Sequence, residues 1–460
     1  MQTGRVPFGI SLALAALLAA ASAHADLYSA QLAYEKKDFE ASFKEFKALA
    51  ELGHPLAQYD LAIMYARGEG AERNSVYAYA WATLAAESGM EGARKFAEQL
   101  EPNLSPASLN FAHDIEARFN RAALDKRLMP RMLAGVEYSD RTPCRKEKMA
   151  IPEYPGAASM QGIQGQVFVE FTVMPDGRAR LPRMIYAVPP KFFESAVRDG
   201  VLHSKFTPAM IDGKRVPCTA VFMYRFVTGD SSAQYNGLDT IVKKTLAQAE
   251  AGDPHSQALY GFLIAGLPQL NKSYDDALPW LLKAAQAGMP VAQYQVGYSL
   301  LHGRGCECEE NKAAEWLRKA AEADQPDAQV TLARYALREV DDEASAKRAL
   351  VWLERAARQN ADGKFYLAAL LASSPVDDVR DAKRAGELIE EVFKDFDDDP
   401  TTFEIRAAAR AGVGDFKGAL VDQNKALAKA RKLEWDVRPQ NGRLKQYQAH
   451  QPWRGDSLVY

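Results

Sequence analysis

Two kinds of hydrophobic spacing divide the chain. Between Tyr154 and Val227 the apolar positions follow a period of two: Val167, Val169, Phe171 and Val173 alternate with Phe168, Glu170 and Thr172, which predicts a strand with one face in a core. Pro175-Asp176-Gly177 supplies turn chemistry, because proline fixes φ and glycine accepts φ > 0. The chain then reverses into a second extended run through Ile185, Tyr186 and Val188. Pro182 within that run cannot donate to a ladder and predicts an edge or a bulge. Phe192, Phe193, Ala196 and Val197 fall at helical spacing inside Lys191 to Leu202, and Val216 to Val227 is a third β-branched and aromatic run. The predicted order is β-β-α-β over residues 153–228.

On both sides of this segment the spacing is helical and it repeats. Gln58, Gln257, Gln293 and Gln329 are each followed 23 residues later by a tryptophan: Trp81, Trp280, Trp316 and Trp352. In the second half these landmarks recur every 36 residues. Each tryptophan precedes a small pair at four and five positions: Ala85-Ala86, Ala284-Ala285, Ala320-Ala321 and Ala356-Ala357. A fixed period of this length is the signature of a solenoid, whose units bury their apolar faces only against neighbours. The unit is two helices. The first, as from Pro290 to His302, ends at a Gly-x-Gly loop suited to left-handed caps, and the second carries the tryptophan and the alanine pair.

The predicted fold is therefore multidomain and mainly α: two α-solenoid arms flank a small α+β domain. Residues 26–135 form the first arm, 136–152 a linker, 153–228 the sheet domain, 229–238 a second linker and 239–396 the second arm. Residues 397–460 hold a terminal hairpin, with Gly414-Asp415-Phe416 at its turn, and a tail. The tryptophans are expected to be buried between helix pairs. Residues 1–25 combine Arg5, an apolar run from Ile10 to Ala21 and Ala23-His24-Ala25, the pattern of a cleavable signal peptide. The mature chain is expected to begin near Asp26 and to be periplasmic.

The corners of the sheet segment are specific. Tyr154-Pro155, Gly162 and Gly165 precede the first strand, Asp176-Gly177 forms the hairpin, and Phe206-Thr207-Pro208-Ala209 and Gly213 precede the last strand. This arrangement resembles the TonB family C-terminal domain, and the 36-residue unit resembles Sel1-like repeats, with a tetratricopeptide-type hairpin from Thr402 to Leu433. The first resemblance implies capture of a short extended receptor segment by strand addition, where main-chain bonds give affinity and pockets give selectivity. It makes the last strand, with Val221, Phe222, Met223 and Tyr224, the candidate docking edge. Packing within the sheet is the competing reading of those four side chains. Partners are expected among cell-envelope proteins, outer-membrane receptors included. A TonB-type transducer would also carry an uncleaved N-terminal helix and a proline-rich spacer, and neither is visible in the sequence.

Composition narrows the function. The chain is 47% hydrophobic and 25% charged with a net charge of −3, which suits globular domains and gives no footprint for nucleic acid. Arg145, Lys146 and Lys148 are the densest basic group, and Glu147 interrupts it, as in a solvated linker. Four cysteines permit three pairings; Cys144 with Cys218 is preferred, while Cys306 and Cys308 suit a small local disulfide or two thiols. Zinc is unsupported, and so is calcium at Asp395, Asp397, Asp398 and Asp399, because Pro400 and Arg406 stand where an EF-hand needs glycine and glutamate. His54 and His255 read as matched capping residues. No nucleophile elbow, phosphate-cradling loop or metal-ligand pattern occurs, so no enzyme, cofactor or small-molecule substrate is expected. Tyr59, Tyr65, Tyr77, Tyr79, Tyr294 and Tyr298 are candidates either for a concave peptide groove or for packing between helices.

Overall fold

A computed structural model describes residues 27–132, 144–211, 213–227, 238–266, 270, 272–339 and 343–454. The segment 1–25 read as a signal peptide, residues 136–143 of the first linker, nearly all of the second and the end of the tail lie outside the described residues. Two compact units divide the chain after Met129.

The first unit is helical: α1 (Leu27–Glu35), α2 (Phe39–Glu51), α3 (Pro55–Arg67), α4 (Ser75–Glu87), α5 (Glu91–Leu100), α6 (Pro106–Phe119) and α7 (Arg121–Arg127). Its repeat shows why the landmarks recur. Pro55 opens α3 behind His54, whose Nδ1 accepts from the Ala57 amide at 3.4 Å, and Gly68 closes it at φ 76°. Gly70 is tighter still, since a Cβ there would lie 2.1 Å from the Phe39 carbonyl oxygen. Trp81 is buried on α4 against Phe119 of α6, so α6 closes the array.

The second unit begins with the sheet domain: β1 (Arg145–Lys148), α8 (Gly156–Met160), β2 (Gly165–Val173), β3 (Ala179–Val188), α9 (Glu194–Leu202), β4 (Lys205–Thr207), β5 (Ala209–Ile211), β6 (Lys214–Val216) and β7 (Cys218–Phe226). The β-β-α-β frame is β2, β3, α9 and β7, in an antiparallel sheet ordered β3-β2-β7. Two further ribbons, β1 with β4 and β5 with β6, decorate it. Strand β1 falls inside the segment read as a linker. In β3 the register breaks where Leu181 and Pro182 sit between Arg180 and Arg183, a bulge at the position the proline marks.

The helices that follow are α10 (Leu238–Glu250), α11 (Pro254–Gly266), α12 (Tyr274–Gln286), α13 (Pro290–His302), α14 (Glu310–Glu322), α15 (Pro326–Glu339), α16 (Glu343–Ala357), α17 (Ala361–Ser373), α18 (Ala382–Val392), α19 (Pro400–Gly412), α20 (Phe416–Lys432) and α21 (Arg438–Gln448). One contact explains the glutamine of every repeat. The Gln257 side-chain amide donates to Ala249 O at 3.2 Å, Gln293 to Ala285 O at 3.3 Å and Gln329 to Ala321 O at 2.9 Å; Gln58 does the same to Ala50 O at 3.2 Å in the first unit. Each thus adds a second donor to a carbonyl in the last turn of the preceding helix, which also accepts from the amide of the turn that follows, Gly53, Gly252, Gly288 or Asp324. Within a repeat the helices nearly touch at Gly297, where a Cβ would lie 2.9 Å from the Leu317 backbone nitrogen.

Two sequence expectations need correction. Trp81 and Trp316 are buried, whereas Trp280 and Trp352, at the same repeat position, are only partly covered. The counterpart of His54 is Asp253 rather than His255: both stand four residues before the repeat glutamine, and Asp253 Oδ2 caps α11 by accepting from the Ser256 amide at 2.7 Å.

Candidate peptide-docking edge

Strand β7 lies at one edge of the sheet and pairs with β2 from Cys218 opposite Val173 to Phe226 opposite Gly165, without a break. Its side chains alternate. Ala220, Phe222, Tyr224 and Phe226 turn toward the domain's own core, where Phe222 stacks on Phe171 at 5.7 Å and Phe226 on Phe193 at 4.3 Å. Burial pushes the Tyr224 hydroxyl up to about 12. Val221 turns to the opposite face and is 3% exposed, packed with Phe168, Ile185, Tyr294 and Tyr298. Met223 is 39% exposed. The four candidate side chains therefore do not form one surface: Val221, Phe222 and Tyr224 pack, and Met223 is exposed.

The reason Val221 is buried is that the back of the sheet fills the inner face of the second helical array. Every residue of β2 is buried, on both faces. Glu170, at a position that alternation assigns to solvent, accepts from Tyr298 Oη at 2.7 Å and from Arg334, and lies 3.6 Å from Arg183 and from His302 Nε2. Arg183 in turn donates to Thr331 Oγ1 at 2.9 Å and lies 4.0 Å from Asp327. Desolvation raises the Asp327 carboxyl to about 6 against the pull of Arg183, and burial raises the Tyr294 hydroxyl to about 12. A charge held in such a place requires partners, and these partners come from α13 and α15.

The contact extends along the whole array. Gln166 donates to Ala265 O of α11, as does Tyr186 Oη at 3.3 Å. Arg304 sits in the Gly-x-Gly loop between the rings of Phe168 and Tyr274, 3.6 and 3.4 Å from their centroids, and donates to Tyr186 Oη at 3.0 Å. At the far end Arg178 pairs with Glu434, the Asp436 amide donates to Asp176 Oδ2 at 2.8 Å, and Arg180 lies 3.3 Å over the Trp435 ring. The edge strand β3 is thus tied to the helices by hydrogen bonds and ion pairs, while β7 meets them through the apolar side chain of Val221. Tyr294 and Tyr298 line the concave face and are buried under the sheet; Tyr59, Tyr65, Tyr77 and Tyr79 are partly buried packing residues of the first unit, with Tyr65 stacked on Tyr77 at 4.9 Å.

Cys144 and Cys218 are joined in a disulfide with their Cα atoms 6.0 Å apart, which fastens β1 to the start of β7. Cys306 is buried and Cys308 exposed. Of the acidic run, Asp399 caps α19 through the Thr401 amide at 2.8 Å, and Asp398 lies 3.8 Å from Arg198. Among the described residues no three His, Cys, Asp or Glu side chains are grouped to hold a metal ion, and no helix is long and apolar enough to cross a membrane.

Residues 150–228 match the family described as Gram-negative bacterial TonB protein C-terminal, and residues 55–90, 254–289, 290–325 and 326–360 match the Sel1 repeat. The chain carries a TonB C-terminal domain flanked by Sel1 repeats. Its TonB domain is 35% identical over 79 residues to Protein TonB of Pseudomonas aeruginosa, a match covering 17% of this chain and 23% of that protein. The solution structure of the Pseudomonas aeruginosa TonB C-terminal domain aligns with 20% of this chain and 91% of its own, at 31% identity and a TM-score of 0.18. A Sel1 repeat protein from Oxalobacter formigenes aligns over 80% of this chain and 100% of its own, at 15% identity and a TM-score of 0.31. A protective antigen of uropathogenic Escherichia coli displaying an SLR fold aligns over 97% of this chain and 76% of its own, at 16% identity and a TM-score of 0.37. Both matched families are protein-binding modules, and in this chain the second set of Sel1 repeats already holds the TonB domain.

Proposed function

We propose that the protein is an exported adapter of the cell envelope whose TonB domain captures an extended peptide by strand addition along β7. The observation that carries this reading is the asymmetry of the sheet: β3 is laced to the Sel1 helices, whereas among the described residues β7, at the other edge, pairs with no strand but β2. An edge strand of nine residues is a template for main-chain pairing. Export is supported by the pattern of residues 1–25, by the periplasmic setting of the TonB domain in known proteins, and by the Cys144–Cys218 disulfide, which suits an oxidising compartment. No catalytic role enters this reading.

The experiment is calorimetry of the full chain against extended peptides from outer-membrane receptors and other envelope proteins. The isolated sheet domain is the wrong reagent, because Phe168, Glu170, Ile185 and Val221 would lose their cover. Adjacent amides of a strand point to opposite sides, so of Met223 and Tyr224 one N–H faces β2 and the other faces out. Proline at the outward position should remove binding while the sheet stays folded, at a stability cost limited to the side chain lost; proline at the other should also break a ladder bond to β2 and destabilise the sheet further. If neither variant altered peptide affinity, β7 would not be the docking edge. A second reading, participation in TonB-type energy transduction to outer-membrane transport, is favoured by the likeness to Protein TonB. It requires receptor peptides to be the ones that bind. Cleavage after Ala25 is read from the intact mass in a periplasmic extract; a membrane-retained chain beginning at Met1 would remove the exported adapter.

A further inference from the structure

The basic group of β1 is not a solvated linker. Arg145, Lys146 and Lys148 are exposed on a strand whose partner β4 sets Lys205 opposite Lys148, and the β5–β6 hairpin adds exposed Lys214 and Arg215. The two ribbons are fastened together: Cys144, directly before Arg145, is bonded to Cys218, and Cys218 Sγ also accepts from the Ala209 amide of β5 at 3.2 Å. Lys214 is four residues from Cys218, at most about 13 Å of extended chain, so the two basic ribbons are neighbours on the domain. Glu147, the acid within β1, is held by Lys205 at 2.6 Å.

Two apolar side chains stand among these charges in water. Met210, opposite Arg215 in the hairpin, is 57% exposed, and Ile151 is 92% exposed. Ile151 follows Ala150, whose amide donates to Ser204 Oγ at 3.0 Å beside Lys205, so it stands at the rim of the same ribbon. Cations around protruding apolar groups suit an anionic bilayer, where ammonium and guanidinium groups meet lipid phosphates and the apolar tips enter the interface. An acidic protein face would answer the cations and leave Ile151 and Met210 without a partner.

We propose that the β1–β4 ribbon and the β5–β6 hairpin form a contact surface for an anionic phospholipid bilayer. The surface is made of side chains and does not use the outer main chain of β7, so it stands or falls apart from peptide capture. The test is co-sedimentation of the full chain with phosphatidylglycerol-containing vesicles and with phosphatidylcholine vesicles. Binding is expected on the first only and should weaken as salt rises. One basic side chain near such a surface is worth about fivefold in partition, so the triple variant Lys146→Glu, Lys148→Glu, Arg215→Glu should lose on the order of 100-fold. These side chains are exposed, and an unchanged melting curve checks the fold. Ile151→Ser should weaken partition several-fold while leaving the salt dependence as it was. Equal partition on both vesicles, none on either, or parent-like binding by the triple variant would overturn the proposal. Binding of a polyglutamate peptide without vesicle partition would overturn it as well, and would reassign the surface to an acidic protein.

Discussion

Tyr298 of the Sel1 array donates its hydroxyl hydrogen bond to Glu170 of the TonB domain's central strand at 2.7 Å, and both residues are buried. Glu170 is the only acid that Arg183 and Arg334 meet on β2, and the array supplies Tyr298 and Arg334 to hold it there. Replacing Glu170 by alanine would take from Arg334 and Arg183 the carboxylate they share and leave Asp327, at 4.0 Å, to answer Arg183. Glu170→Ala should therefore lower the unfolding free energy by about 3–5 kcal/mol in a denaturant titration, as loss of one partner from a buried pair does. A change under about 1 kcal/mol would mean that the sheet and the array are not energetically coupled through this residue.

The repeat glutamines should behave alike. Gln329→Ala removes a buried donor from the Ala321 carbonyl and should cost about 1–2 kcal/mol, measured by thermal or chemical unfolding. The same substitution at Gln257, whose bond to Ala249 O has the same geometry, should cost a similar amount. A neutral result at both positions would leave the glutamine without the structural role assigned to it.

Tryptophan truncations should separate by burial. Trp316 is 1% exposed, and Trp316→Ala should destabilise by about 3–5 kcal/mol. Trp280 is only partly covered, with Tyr260 edge-on at 5.3 Å and Lys283 at 4.3 Å over its ring, so Trp280→Ala should cost less than half as much. Comparable losses would show that the exposed faces of the array carry as much packing energy as its interior.

Asp60 on α3 tests a charge rather than a contact. Burial alone raises its carboxyl from 3.8 to about 6. The folded state therefore holds the proton more tightly than the unfolded chain, and stability falls as pH rises from about 4 to 6 and stays lower above that. Asp60→Asn should raise the unfolding free energy at pH 7.5 by about 1 kcal/mol once partial exposure to water is discounted, and should change it little at pH 4, as denaturant titrations at the two pH values would read. A variant less stable than the parent at pH 7.5 would point to a favourable partner for the ionised form.

The sequence carried the frame of this fold because each part has its own period. Alternation located β2, the proline of Pro182 marked the bulge in β3, and the 36-residue spacing of Gln293 and Gln329 located the array. It could not show what covers the sheet. Glu170 and Thr172 alternate with apolar residues as solvent-facing residues would, and Glu170 is met by Tyr298 and Arg334, which are 128 and 164 residues away. Arg304 was hidden for a related reason: its Gly-x-Gly loop reads as a turn, and both glycines do take positive φ, yet its guanidinium is clamped between Phe168 and Tyr274. The equivalent loop of the first array carries Glu69, which accepts from Tyr34 Oη at 2.7 Å instead. The docking edge was half legible. The sequence shows a β-branched and aromatic run from Val216 to Val227, but the burial of Val221 depends on an array that follows later in the chain, while Phe222 and Tyr224 pack within the domain itself.

That separation sets an order of events during synthesis. The sheet leaves the ribosome with Gln166, Phe168, Glu170 and Arg183 facing outward, and its cover arrives late: Tyr298 is 128 residues behind Glu170, Thr331 is 148 behind Arg183 and Glu434 is 256 behind Arg178. A chain translocated from its N-terminus would pass through a stage in which this apolar and charged face is uncovered, the kind of exposure that invites aggregation. Chains ended before α13 should thus precipitate or recruit a holding chaperone, even though every residue of the sheet is present.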